Sequence, residues 1–151
     1  MSQSLDEISL IDFIDKNLDP QDPMIFDPVR RKKVSKTSEE LVRQSMLQVL
    51  NKLFGIPFSR MAVERKIEVL NMTKRFDILV YSKHGHPYIL VECKSPQFAM
   101  NQIFFDQASR YNLVLKSPYL CITNGLILKA VKINFEKNHY DFVNSLPAYP
   151  F

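Results

Sequence analysis

The segment Asp77–Lys94 constrains the fold most, because it reads as a β-hairpin with two carboxylates facing each other at one end. One arm runs Arg75-Phe76-Asp77-Ile78-Leu79-Val80-Tyr81 and the other Tyr88-Ile89-Leu90-Val91-Glu92-Cys93-Lys94, with His84-Gly85 between them. A turn centred between His84 and Gly85 sets Asp77 opposite Glu92, with β-carbons roughly 5 Å apart on one face. Two facing carboxylates repel. A divalent cation held between them is the simplest reason for a fold to keep the pair.

Alternation along the strands assigns the faces. Phe76, Ile78 and Val80 share one with Ile89, Val91 and Cys93. Leu79, Tyr81, Tyr88 and Leu90 share the other with Asp77, Glu92 and Lys94. Both faces are apolar over most of their length, as in strands covered by helices on both sides. The polar set occupies one end of one face, which weighs against a simple solvated surface and against a lone structural ion pair of Lys94. Oxygen ligands from Asp77 and Glu92, with the Cys93 carbonyl as a third, suit Mg²⁺ or Mn²⁺. Lys94 is placed to orient an attacking water and to neutralise charge on a phosphate.

The 151 residues suit one domain, able to bury about two-thirds of its unfolded surface. The 46% apolar content excludes general disorder. No apolar run approaches a membrane span, and the polar start Met1-Ser2-Gln3-Ser4 does not read as a signal peptide, so a cytoplasmic protein is expected. Cys93 and Cys121 fall in predicted strands without zinc-ligand spacing and are expected to be free, buried and reduced. None of the three glycines belongs to a phosphate-binding loop. The net charge of +4 is too small to establish nucleic-acid binding. Its distribution is more suggestive: Arg30, Arg31, Lys32, Lys33 and Lys36 form a basic run that suits either phosphate contact or a solvated segment.

Along the chain, residues 1–24 read as an N-terminal arm with a weak helical pattern from Leu5 to Lys16, and residues 25–151 as the main domain. Helix is expected at Ser38–Phe54 and at about Ala99–Leu115, the second with Ile103, Phe104, Ala108 and Tyr111 inward. Strands are expected at Met61–Leu70, in both arms of the hairpin, at Tyr119–Thr123 and, after an Asn124-Gly125 turn, at Leu126–Ile133. An edge strand or short helix follows Asn138. This order predicts an α/β fold, a central mixed sheet flanked by helices on both faces.

Asp77 followed by Glu92-Cys93-Lys94 resembles the PD-(D/E)xK nuclease signature. More closely, Ile25–Lys132 resembles the N-terminal domain family of type I restriction enzyme R proteins. The likeness rests on Thr37–Gln44, Arg75–Ile78, Val91–Pro96, Gln107–Asn112 and Thr123-Asn124-Gly125. The resemblance implies a restriction-endonuclease-like fold, DNA as substrate, Asp77 and Glu92 as metal ligands and Lys94 as catalytic lysine. Phe76 stands where the superfamily's name has proline.

Gln107 and Tyr111 resemble a Gln-x-x-x-Tyr motif that lies near the active site in related nucleases. Gln107 also sits in the expected inner stripe, where it needs a partner, either the active-site end of the sheet or local backbone. Glu40 matches an acid that the superfamily draws from its first helix, but it equally fits a capping box with Thr37, and Glu39 is the alternative match. Arg43 and Arg110 suit either phosphate contact or ion pairing. His84 and His86 fall in the turn, away from the acidic end, and are expected to be solvent-exposed.

The resulting expectation is a Mg²⁺- or Mn²⁺-dependent DNA endonuclease domain. The rival is a catalytically silent module of the same fold that binds nucleic acid or a protein partner. No ATPase motor or methyltransferase segment lies within the chain, so restriction-system or motor proteins would act in trans. Cutting both strands of a duplex calls for two active sites, which a homodimer would supply.

Overall fold

A computed structural model of the chain describes residues 3–14 and 18–151. Strand β1 (Met24–Asp27) pairs antiparallel with β2 (Lys32–Ser35), and helix α1 (Ser38–Phe54) follows. Next come β3 (Met61–Val63), the hairpin β4 (Lys66–Val69) and β5 (Met72–Arg75), then β6 (Ile78–Tyr81) and β7 (Pro87–Cys93). Helix α2 (Gln102–Leu115) leads to β8 (Tyr119–Thr123), β9 (Leu128–Asn134) and β10 (His139–Val143).

The main sheet has the order β10-β9-β8-β7-β6-β3; only β7 and β8 run parallel, joined by the α2 crossover. Its two faces carry separate cores. Val42, Met46, Val49 and Leu50 of α1 pack with Ile78, Val80, Ile89, Val91 and Cys93. On the opposite face Phe104, Phe105 and Ala108 of α2 pack with Leu79, Leu90, Leu120 and Ile122. This is the expected α/β arrangement, a mixed sheet with a helix on each side.

Helix α1 begins where the Thr37 side chain accepts a hydrogen bond from Glu40 N at 3.1 Å, and ends at Gly55 in the left-handed region at φ 68°. Helix α2 starts at Gln102 rather than near Ala99, because the Asn101 side chain caps it by accepting from Phe104 N at 2.9 Å. Its inward stripe is also rotated from expectation. Phe105 and Asn112 are buried, whereas Ile103 is 69% exposed. Asn112 can face inward because Ser117 satisfies it twice, donating N–H to its Oδ1 and accepting from its Nδ2. A pattern built from apolar residues alone chooses Tyr111 instead.

The expected strand Met61–Leu70 is two strands, β3 and β4, separated at Glu64, whose φ is 56°. Likewise Arg75–Tyr81 divides into β5 and β6, because Asp77 C=O accepts from Glu64 N and Phe76 N donates to Arg65 C=O. The bend resets the alternation, so Phe76 joins the α2 face instead of the α1 face. The β6–β7 register pairs Ile78 with Val91 and Val80 with Ile89, then shifts at Tyr81. Beyond that shift Tyr88 packs on the α1 side, where its ring stacks on Phe151, rather than with Leu90.

In the N-terminal arm the expected helix is two short 3-10 turns, Leu5–Glu7 and Leu10–Phe13, with Leu5 and Leu10 buried against the α1 core. Its expected end at Lys16, like the polar start Met1-Ser2, lies outside the described residues. Among the described residues no helix is long and apolar enough to cross a membrane.

Candidate active site

The β6–β7 pairing continues outward from Ile78↔Val91, which brings Asp77, just before β6, beside Glu92 near the end of β7. Both are buried, each at 7% exposure. Around them is a cleft of about 210 Å³ lined by Glu39, Glu64, Arg75, Asp77, Glu92, Cys93, Lys94, Phe104, Gln107, Ala108 and Tyr111. Thus α1 contributes at its N-terminal turn, α2 along one face, and the sheet at the ends of two strands. A larger cavity of about 510 Å³ lies between the N-terminal arm and α1, and none of these residues lines it.

Asp77 is held firmly. Its Oδ2 accepts from Cys93 N at 2.8 Å and its Oδ1 from Arg43 Nη2 at 2.6 Å. Glu92 differs: its Oε1 is buried without a hydrogen-bond partner. Burial, and secondarily the charge of Asp77, push the Glu92 carboxyl well above its ordinary range. Lys94 lies on the cleft wall, with Nζ 5.3 Å from the ring centre of Phe98 and 5.6 Å from that of Phe104. Those rings confine the ammonium by cation–π contact.

Phe98 is itself fixed by the turn after β8. Asn124 Nδ2 donates to Phe98 C=O at 2.9 Å, while Asn124 Oδ1 accepts from the N–H groups of Leu126 and Ile127. Gly125 lies at φ 90°, and a Cβ there would come within 3.0 Å of Val42 Cγ2. The Thr123-Asn124-Gly125 block therefore supports the Lys94 side of the cleft from a distance.

The helix carboxylate lining the cleft is Glu39. Burial, then repulsion from Asp77, raises its pKa. Glu40 is not in the cleft: Arg30 and Arg43 both bond its carboxylate, in a buried network that continues through Arg30 to Asp27. Consecutive residues of a helix are rotated by about 100°, and here Glu39 faces the cleft while Glu40 is turned to Arg30 and Arg43. Arg43 does not present itself to solvent for phosphate contact. It is buried among Glu40, Glu64 and Asp77.

Gln107 is an exposed residue on the rim rather than an inward one, and Tyr111 is half-buried beside it. Arg110 is exposed and outside the cleft lining. In the basic run, Arg30 is committed to Asp27 and Glu40 and Lys33 pairs with Asp22, while Arg31 and Lys32 are exposed. His84 and His86 are exposed in the β6–β7 turn, at the far end of the hairpin. Cys93 and Cys121 are buried and free, and burial raises both thiols, that of Cys121 to about 12.

Glu64 and Arg75 also line the cleft, although no motif in the sequence marks them. Glu64 Oε1 accepts from Arg43 at 2.8 Å, and Arg75 approaches Glu64 Oε2 at 3.7 Å. Glu64 reaches the cleft through a left-handed backbone that costs roughly 1–2 kcal/mol for a residue other than glycine. No residue-type pattern signals that conformation.

Among the described residues no three His, Cys, Asp or Glu side chains converge as a metal-binding group. The oxygen donors nevertheless fit a hard cation that needs only one or two carboxylates and keeps several waters. The unpartnered Glu92 Oε1, adjacent to Asp77, is the specific feature that such an ion would satisfy.

The chain is an α/β domain whose mixed sheet gathers an aspartate, a glutamate and a lysine at one end, between two helices. A family model described as the type I restriction enzyme R protein N terminus (HSDR_N) matches residues 38–147, and the chain belongs to that family. No curated protein matches the chain. Among solved structures it is similar to a fragment assigned as an HsdR subunit of a type I restriction enzyme from Vibrio vulnificus YJ016. That similarity has 17% identity and a TM-score of 0.47, and covers 68% of this chain and 22% of the other. A DUF820 protein assigned as a nuclease, from Anabaena variabilis ATCC 29413, is similar at 13% identity and a TM-score of 0.45, over 91% of this chain and 85% of the other.

Proposed function

We propose that this domain hydrolyses DNA phosphodiester bonds with Mg²⁺ or Mn²⁺, alone or as the cutting module of a restriction system. The observation that carries the reading is the buried, unpartnered Glu92 Oε1 beside Asp77 in a cleft that also holds Lys94. Asp77 and Glu92 would hold the ion, with the Cys93 carbonyl as a further oxygen donor. Bound there, a divalent cation supplies Lewis acidity to the scissile phosphate and acidifies a nearby water. Asp77 is oriented for its role by Cys93 N–H and Arg43. Lys94 brings a fixed positive charge to the phosphate oxygens and can orient the attacking water. Glu39 and Gln107 border the same space and suit positioning of that water or of the sugar-phosphate chain.

Plasmid nicking in Mg²⁺ or Mn²⁺ tests the reading. Wild type is expected to nick, and Glu92→Ala and Lys94→Ala are expected to abolish nicking. Equal absence of nicking in wild type and Glu92→Ala across both metals would remove the activity from the isolated chain.

One observation favours a silent binding module: Arg43 already neutralises Asp77 and Glu64. Calorimetric titration with Mn²⁺ separates the two. Heat of binding in wild type that disappears in Asp77→Ala supports the working site, and no binding by wild type supports the silent module.

A further inference from the structure

We infer that the β4–β5 hairpin is a duplex-DNA grip beside the cleft, a reading that builds on DNA as the substrate proposed above. The hairpin is a separate two-stranded sheet, inserted between β3 and β6 of the main sheet. Both of its ends adjoin the site: Glu64 precedes it and Arg75 closes it, and both line the cleft. A hydrogen bond from Phe76 N to Arg65 C=O pins its base. A nucleic-acid strand entering the cleft therefore runs past this base.

The chemistry of the hairpin suits that neighbour. Arg65 and Lys66 are exposed and form no ion pair among the described residues. Lys66 lies across from Arg75, so their side chains share a face, and it is Arg75 that reaches the cleft. On the other face Lys74 sits 5.9 Å from the ring centre of Tyr111, tying the hairpin to α2. Acidic charge along it is limited to Glu64, already engaged by Arg43, and Glu68, which accepts from Thr73 Oγ1 at 2.6 Å.

The tip is apolar and held in shape. Leu70 is 86% exposed and Met72 53%, and the turn places both Leu70 and Asn71 at positive φ, 50° and 62°. A leucine in the left-handed region at a solvent-facing tip gains nothing from packing within this chain. A two-stranded ribbon has the width to enter a DNA groove, where basic stems meet phosphates and apolar side chains meet base and sugar surfaces. Such contact gives Leu70 and Met72 a partner and sets Arg65, Lys66 and Arg75 along the backbone.

Fluorescence anisotropy with a short labelled duplex in Ca²⁺, across a salt series, tests this on the whole chain. Arg65→Ala/Lys66→Ala is expected to weaken binding about tenfold and to reduce the slope of log affinity against log salt by about two, one per lost phosphate contact. Leu70→Ser/Met72→Ser is expected to weaken binding without changing that slope. Circular dichroism of each variant confirms its fold, and Arg31→Ala/Lys32→Ala on the β1–β2 hairpin serves as a charge-matched control with a smaller effect. Wild-type affinity and slope in Arg65→Ala/Lys66→Ala, an equal loss in the control, or no duplex binding by wild type overturns the inference. Selective loss in Arg65→Ala/Lys66→Ala upholds it even where no variant nicks plasmid, an outcome that would remove only the nuclease reading.

Discussion

Asp27 and Glu92 are both buried carboxylates, yet their surroundings are opposite. Asp27 is fully buried and saturated: it accepts from Val29 N, Arg30 N, Arg30 Nε and Gln44 Nε2, each within 2.8 Å. Burial raises its pKa, but the hydrogen bonds from Arg30 and Gln44 outweigh burial and leave it lowered. Glu92 is also buried and has a bare oxygen and an acidic neighbour, so its pKa rises. The first arrangement stabilises the charged form and the fold with it. The second holds a charge that only a cation or a proton can relieve, as expected at a site kept for chemistry rather than stability.

The sharpest way to break this contrast is to remove each acid. Asp27→Ala leaves a buried guanidinium and amide without their acceptor and is expected to cost about 3 kcal/mol or more in urea unfolding. A loss below about 1 kcal/mol would mean that the network is not structural. Glu40→Gln, which weakens the link between Arg30 and Arg43, is expected to cost about 2 kcal/mol by the same measurement.

Glu92→Gln should act in the reverse direction. Without divalent cation it is expected to raise stability by about 1 kcal/mol at a pH high enough to ionise the buried Glu92 carboxyl, since it then replaces a buried charge that has an unpartnered oxygen, while abolishing nicking. Mn²⁺ should raise the wild-type melting temperature and leave that of Glu92→Gln unchanged. A destabilised Glu92→Gln would place this residue with Asp27 as a structural acid.

The pH dependence has the same two signs. Between 4.5, the ordinary value for Glu92, and its raised folded value, the folded chain holds a proton that the unfolded chain has released. Stability of the metal-free protein therefore falls as pH climbs through that window, and Glu92→Gln should flatten the fall. For Asp27 the stabilisation is present above its ordinary 3.8 and is lost as pH falls through its lowered folded value. Urea midpoints across pH read both slopes. Glu39→Gln gives the smallest effect, within about 0.5 kcal/mol of wild type, because the Glu39 side chain is 43% exposed and 3.6 Å from Arg43.

Much of this architecture is legible in the residues. The capping Thr37 and the terminal Gly55 bound α1 because local hydrogen bonding and φ preference decide helix ends. Alternation and a short turn set the β6–β7 register, which is why Asp77 and Glu92 emerge as neighbours. The β4–β5 hairpin was not legible, since its turn uses Leu70 and Asn71 without a glycine. Nor was the α2 stripe, whose inward member Asn112 is polar and satisfied only through Ser117.

By itself the sequence determined the α/β order, the facing of Asp77 and Glu92, and the presence of Lys94 beside them just past the end of β7, because periodicity and turn chemistry act over a few residues. Tertiary structure alone decided which glutamate of the Glu39-Glu40 pair meets the cleft, that Glu64 joins it, and that Arg43 is drawn among the carboxylates. Those outcomes depend on how α1 rotates against a sheet built from distant segments, and on which buried charges find partners across it. Local pattern carries no information about either.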